Sequence, residues 1–265
     1  MDVIILRDSN AVAAEGAALV LQVLQHRANA VFGLASGRTP LAMYQRLIHD
    51  SRAAGLSFRD VTTFNLDEYL GLPPGDEHSY RAYMQRELFD HIDIDPGNTF
   101  LPECKAGMDP LEVGPAYEAL IRSRDGIDLQ ILGIGRNGHI GFNEPTSSLQ
   151  SRTRIKTLSR ETVAANKELF DKTATQPQLA ITMGIATIMD AGHIVLLATG
   201  ADKADAVRQS VEGPVSAMCP ASVLQLHEKV TVLLDEEAAS LLTLRDYYGW
   251  VAEQKRRLFA SLKGH

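Results

Sequence analysis

Short runs of apolar and β-branched residues alternate along the chain with longer stretches whose apolar positions recur at helical spacing. This is the pattern of parallel strands joined by crossover helices. The runs predict strands at Val3–Leu6, Ala30–Leu34, Val61–Leu66, Leu129–Leu132, His193–Leu197 and Val230–Leu234. Helices are predicted between and after them, over Asn10–His26, Pro40–Ala53, Ser79–Phe89, Pro110–Ser123, Lys203–Val211 and Glu236–Tyr248. In the first helix Val12, Gly16, Leu19 and Val23 mark one face, which Val20 and Leu24 widen, as suits a helix laid on a sheet. Ile194-Val195-Leu196-Leu197 is apolar at every position, which implies a strand covered on both sides. The predicted fold is therefore α/β, a single doubly wound, mostly parallel sheet with helices on both faces, modified Rossmann-like, over one domain spanning 1–265. The stretch from about 145 to 180 is polar and poor in strand signals, so it is predicted to be a lid or flap.

Composition narrows the function classes. The chain has 265 residues, with 26 Lys plus Arg against 33 Asp plus Glu, a net charge of −7. That balance repels a phosphate backbone and argues against nucleic acid as a partner. An anionic ligand would need a local positive site. The two cysteines, Cys104 and Cys219, support neither a disulfide framework nor a thiolate metal cluster. The opening MDVIILRDSN lacks the basic start and long apolar stretch of a signal peptide, and no apolar run approaches membrane-spanning length. A soluble, cytoplasmic protein without a membrane partner is expected.

Candidate chemistry follows the predicted strands, where open parallel sheets bind their ligands. Gly33–Pro40 (GLASGRTP) offers glycines for a tight turn, hydroxyls from Ser36 and Thr39, and a helix N-terminus that favours an anion. Phosphate binding and an ordinary strand-to-helix turn are both open readings. In Phe64–Pro73 (FNLDEYLGLP), Asp67 and Glu68 end a buried strand, where desolvation and like charge raise a carboxyl toward the range of a general base. Alternation lets only one of them face a substrate; the competing reading is a pair of capping or surface acids. Gly133–Pro145 (GIGRNGHIGFNEP) has dinucleotide-like glycine spacing, but Gly141 and Pro145 argue against the helix that such a site requires. It reads instead as a bend presenting His139 as acid/base group, with Glu144 to orient its ring. In Ser151–Leu158 (SRTRIKTL), alternation places Arg152, Arg154 and Lys156 on one face of an extended segment, either a second anion site or a charged edge strand. Lys203, opening a helix, is a further phosphate candidate.

Together with Leu224–His227 (LQLH), these motifs resemble, in order, the glucosamine/galactosamine-6-phosphate isomerase family, from Val3 to about Tyr248. The resemblance implies conversion of D-glucosamine 6-phosphate and water to D-fructose 6-phosphate and ammonia, with no metal or organic cofactor. It implies that His139, assisted by Glu144, opens the pyranose ring, and that Asp67 moves a proton between C2 and C1, with Glu68 as a neighbouring support. Asn137 stands where the hexameric branch carries Asp. Glu168 stands where a lid Arg usually binds phosphate, so Arg38 and Lys203 are expected to supply that charge, ahead of Lys167, next to Ser36, Gly37 and Thr39 as further phosphate-binding residues. Ser147, Arg154, Lys156 and Thr157 match the family's allosteric site for N-acetylglucosamine 6-phosphate, which is built between subunits and so calls for a homo-oligomer. The rival readings are a related amino-sugar-phosphate deaminase, a 6-phosphogluconolactonase-type hydrolase, and a sugar-phosphate sensor without catalysis.

Overall fold

The computed structural model describes residues 1–166, 170 and 176–262. Its strands are β1 (Asp2–Leu6), β2 (Val31–Leu34), β3 (Thr62–Asn65), β4 (Asp67–Tyr69), β5 (Thr99–Phe100), β6 (Leu129–Gly133), β7 (Arg154–Thr157), β8 (Leu179–Thr182), β9 (Ile194–Ala198) and β10 (Val230–Asp235). Its helices are α1 (Ser9–His26), α2 (Arg38–Ala54), α3 (Tyr80–Glu87), α4 (Pro110–Ser123), α5 (Arg160–Asn166), α6 (Ile185–Met189), α7 (Ala204–Val211) and α8 (Arg245–Leu262).

Seven strands form one parallel sheet in the order β1-β10-β9-β6-β2-β3-β5. From β2 the chain builds outward through β3 and β5, then returns to the other side of β2 for β6, β9 and β10. The order reverses between β2 and β6, and the crevice beyond their carboxyl ends is where such a sheet binds a ligand. Apolar residues at successive positions do serve opposite faces. Ile194, Leu196, Val232 and Leu234 join a core with Tyr117 of α4, Ile185 of α6 and Val207 of α7. Val195, Leu197 and Leu233 join another with Val20 of α1, Met43 of α2 and Met84 of α3. Each such side chain contributes about 1.5–3 kcal/mol when fully buried.

Local signals explain the helix starts. Asp8 Oδ1 accepts the Ala11 N–H at 2.8 Å and caps α1, and Asp109 Oδ1 accepts the Leu111 N–H at 2.9 Å ahead of Pro110 in α4. The α2 start differs, for Gly37 has φ 120° and no side chain caps the first turn.

Three expectations need correction. The buried strand after Val61 stops at Asn65; Asp67 opens β4, which leaves the parallel sheet and pairs antiparallel with β8, itself paired with β7. The stretch expected to lack strands thus contributes two. The last helix begins at Arg245 rather than Glu236, because Glu212 at the end of α7 reaches across and accepts the Thr243 and Leu244 N–H groups at 2.9–3.0 Å. Residues 236–240 form turns instead, held by the Ala238 N–H to Asp235 Oδ1. Finally, Arg152 precedes β7 and pairs with Asp190, so it does not extend a cationic row with Arg154 and Lys156. Glu168 and Lys167 lie outside the described residues. No helix among the described residues is long and apolar enough to cross a membrane.

Glu212 therefore stands in for an N-cap supplied from a different helix. Glu212→Ala is expected to cost about 0.5–2 kcal/mol, read in thermal melts as a fall of roughly 2–4 °C per kcal/mol; an unchanged melting temperature contradicts that role.

Candidate functional site

The break between β3 and β4 sends the two adjacent acids in different directions. Glu68 accepts the backbone N–H groups of Tyr69 and Tyr80 on Oε1, at 2.8 and 3.0 Å, and that of Arg81 on Oε2 at 2.9 Å. It anchors the N-terminus of α3, and burial raises its pKa against the pull of those hydrogen bonds. Asp67 lies directly across from Thr182 of β8. No described residue donates a hydrogen bond to its carboxylate, and it is 6 % exposed. Burial first, and the charge of Glu68 second, push its pKa up to about 8.

The loop after β6 crosses above this carboxylate. The Phe142 N–H donates to Thr182 Oγ1 at 3.1 Å, and Gly141 turns with φ 54° at a point where a β-carbon would sit 3.4 Å from Asp67 Oδ2. Fully buried Asn143 staples the loop, its Nδ2 donating to the carbonyls of Ile140 and Met183 at 3.0 and 2.9 Å. Arg154 of β7 completes the staple by donating to Asn143 Oδ1 at 2.9 Å. Gly135 is required because the His139 ring lies where its β-carbon would be, 2.2 Å from Cε1.

Around His139 the polar groups fix one another. Glu144 is buried, which alone would raise its pKa, yet the neighbouring His139 ring, with hydrogen bonds from Thr162 and Asn137, outweighs burial and holds it at about 2. An ionised Glu144 must accept, so Asn137 turns its Nδ2 toward Oε2, at 2.8 Å. Asn137 Oδ1 then faces His139 and accepts from its backbone N–H at 3.2 Å and from ring Nδ1 at 2.7 Å. Nδ1 therefore carries a proton, and Nε2 is the atom left to exchange one. Glu144 Oε2 stands 3.4 Å from Nδ1, close enough to stabilise an imidazolium.

The anion candidates converge on the same edge of the sheet. The uncapped start of α2 presents the Gly37–Thr39 backbone, and exposed Arg38 is its first residue. The hydroxyl of Thr39 lies 3.4 Å from that of Thr199 at the end of β9. Four residues on, half-buried Lys203 has its pKa lowered by desolvation, while Asp202 beside it bonds Arg136 at 2.8 Å. Ser36 lies beside the hydroxyl of buried Tyr80.

Of the flap residues, Ser147 is buried with an unpartnered hydroxyl, Arg154 is half-buried on Asn143, Lys156 is also half-buried, and Thr157 is exposed. Reading the sequence missed Asn143, Thr182 and Thr162 as parts of the site. Nothing in the spacing of Thr182 or Thr162 points to them, since both reach the loop only through tertiary contacts.

The family model for glucosamine-6-phosphate isomerases/6-phosphogluconolactonase matches residues 8–233. The chain is 55% identical over 259 residues to a glucosamine-6-phosphate deaminase of Hahella chejuensis, covering 97% of this chain and 98% of the relative. It is 52% identical over 262 residues to one of Shewanella halifaxensis, covering 99% of each. A solved structure of a monomeric glucosamine-6-phosphate deaminase superposes with a TM-score of 0.87 at 44% identity, covering 91% of this chain and 100% of that one. A 6-phosphogluconolactonase from Trypanosoma brucei shares the fold alone, with a TM-score of 0.71 at 23% identity over 91% of this chain and 98% of the other.

Burying Asp67 has a cost in stability with a definite sign. The folded chain holds its proton up to about pH 8, whereas the unfolded chain releases it near the ordinary carboxylate value, so stability falls as pH rises from about 4 through 8. Asp67→Asn never ionises and is expected to melt above the parent chain at pH 9 and to converge with it near pH 4. A difference that does not change with pH overturns this account.

Proposed function

The chain belongs to the glucosamine-6-phosphate isomerase/6-phosphogluconolactonase family, and we infer that its reaction is the deaminase one. D-Glucosamine 6-phosphate and water give D-fructose 6-phosphate and ammonia. The observation that carries the assignment of roles is the unpartnered, buried carboxylate of Asp67 beneath the loop that presents His139. Lactone hydrolysis has no use for a carboxylate base at the C1–C2 edge of a sugar. Aldose–ketose chemistry by proton transfer needs a base at that edge.

In this reading the phosphate is held by the backbone of Ser36, Gly37 and Thr39 at the α2 N-terminus, by the hydroxyls of Ser36 and Thr39, and by Arg38 and Lys203. His139 works through Nε2. It relays the proton from the anomeric hydroxyl to the ring oxygen and so opens the pyranose. Asn137 keeps the proton on Nδ1, and ionised Glu144 stabilises the imidazolium that forms in passing. Asp67, as carboxylate, removes the C2 proton while O1 takes up a proton to give an enolamine, then returns the proton to C1 as the nitrogen gives one up, which leaves an imine at C2. Water adds there and ammonia departs. A base with a pKa near 8 is matched to a weakly acidic carbon.

We place the whole chain in one cytoplasmic domain, with the stretch of about 145–180, in which β7 and α5 lie, as its lid. N-Acetylglucosamine 6-phosphate is the effector class proposed for Ser147, Arg154, Lys156 and Thr157 in a homo-oligomer. It would act through Arg154, whose bond to Asn143 reaches the catalytic loop directly.

Four measurements test the assignment. Ammonia release should be found with glucosamine 6-phosphate, with galactosamine 6-phosphate and 6-phosphogluconolactone assayed alongside. The parent chain's kcat/KM should rise with pH up to about 8 as Asp67 ionises. Asp67→Asn is expected to lower kcat by about 10²–10⁴-fold; lactone hydrolysis without ammonia moves the assignment to the hydrolase, and no turnover at all moves it to a sensor. Arg38→Ala should raise KM roughly tenfold or more with little change in kcat, and an unchanged KM removes Arg38 from the phosphate site.

A further inference from the structure

Glu144 divides its two oxygens between two parts of the fold. Oε2 serves Asn137 and faces His139, whereas Oε1 accepts the hydroxyl of Thr162, the third residue of α5. Thr162 is 6 % exposed, although α5 is a short helix on the lid. Its orientation is set locally. Ser159 Oγ accepts the Thr162 N–H at 3.1 Å and so caps the helix, while its own proton goes to Thr162 Oγ1 at 3.1 Å. With its acceptor position occupied by Ser159, the Thr162 hydroxyl has its proton directed to the carboxylate. The result is a chain of hydrogen bonds from Ser159 through Thr162, Glu144 and Asn137 to His139 Nδ1.

Among the described residues, the other attachments of α5 are apolar or neutral. Val163 packs beside the small cluster of Tyr69, Phe142, Leu158 and Phe170, and its carbonyl accepts Gln176 Nε2 at 2.7 Å. The bond from Thr162 to a buried, ionised carboxylate is the strongest polar tie in this set, since hydrogen bonds to charged groups exceed neutral ones.

We propose that Thr162 is a positioning residue that latches α5 to the acid/base unit, so that His139 is correctly oriented only while the lid helix is seated. The proposal rests on the reading of His139, Asn137 and Glu144 as that unit. Without the Thr162 hydroxyl, Oε1 loses its described donor and the carboxylate is free to rotate. Asn137 can then turn with it, and the proton on Nδ1 is no longer fixed. Displacement of α5 by any other means would have the same effect, which makes the helix a gate on proton transfer rather than a cover alone.

The test compares Thr162→Val, which keeps the shape and removes the hydroxyl, with Thr162→Ser, which keeps the hydroxyl. In the full-length chain, Thr162→Val is expected to lower kcat for ammonia release by about 10- to 100-fold with KM changed less than about threefold. Thr162→Ser should retain kcat within about threefold of the parent. Nitrogen-15 NMR of the imidazoles should show a single Nδ1-protonated form of His139 in the parent and Thr162→Ser chains, and a mixture of tautomers in Thr162→Val. Parent-like kcat and tautomer in Thr162→Val overturn the latch, as does an equal loss in Thr162→Ser. Glu144→Gln separates the two levels: if it leaves ammonia release intact, the acid/base reading itself fails. If it abolishes release while Thr162→Val does not, only the latch fails.

Discussion

The site depends on a carboxylate that the fold leaves buried and unpaired. Asp67 sits where the chain quits the parallel sheet, two residues beyond the last pairing of β3, and enters a second sheet with different neighbours. Its neighbour Glu68 is compensated by three backbone N–H groups at the start of α3. Asp67 receives none, so its ionised form is expensive and its pKa rises to about 8. The rest of the site is arranged around this group: Thr182 carries the loop over it, Gly141 approaches it, and Asn143 with Arg154 holds that loop down.

The second carboxylate is treated in the opposite way. Glu144 is also buried, but donors from Asn137 and Thr162 and the adjacent His139 keep it ionised at about 2. Two acids in one crevice are thus set far apart in acidity by environment. The anion orders Asn137, Asn137 orders His139, and Nε2 is the ring nitrogen left free. Positive charge at the crevice edge comes from the α2 N-terminus, Arg38 and Lys203, which satisfies locally what a chain of net charge −7 lacks globally.

Much of this was legible before the structure. The strands ending at Leu34, Asn65 and Gly133 lead into the three segments that line the crevice, and all three carry distinctive glycine or acidic patterns. Those signals are local, because tight turns demand glycine and helix starts favour particular caps. Asn137 and Glu144 were legible as partners of His139, being close to it in sequence. Thr162, Thr182 and Asn143 were not, because each acts through a contact many residues away. The late start of α8 escaped for the same reason, since the helical pattern from Glu236 is overridden by Glu212, which caps Thr243 and Leu244 from a different element.

By itself, the sequence determined the alternation of strands and helices, the burial of the central strands on both faces, and the residue types able to move protons and bind phosphate. These follow from side-chain period and from chemistry that travels with each residue. The tertiary structure alone decided which of two adjacent acids is left unpartnered with a raised pKa, which histidine nitrogen is free, and that Arg154 braces the loop that carries His139. Acidity, tautomer and pairing are properties of surroundings, and the surroundings of Asp67, His139 and Arg154 are assembled from strands and loops that meet only when the two sheets pack together.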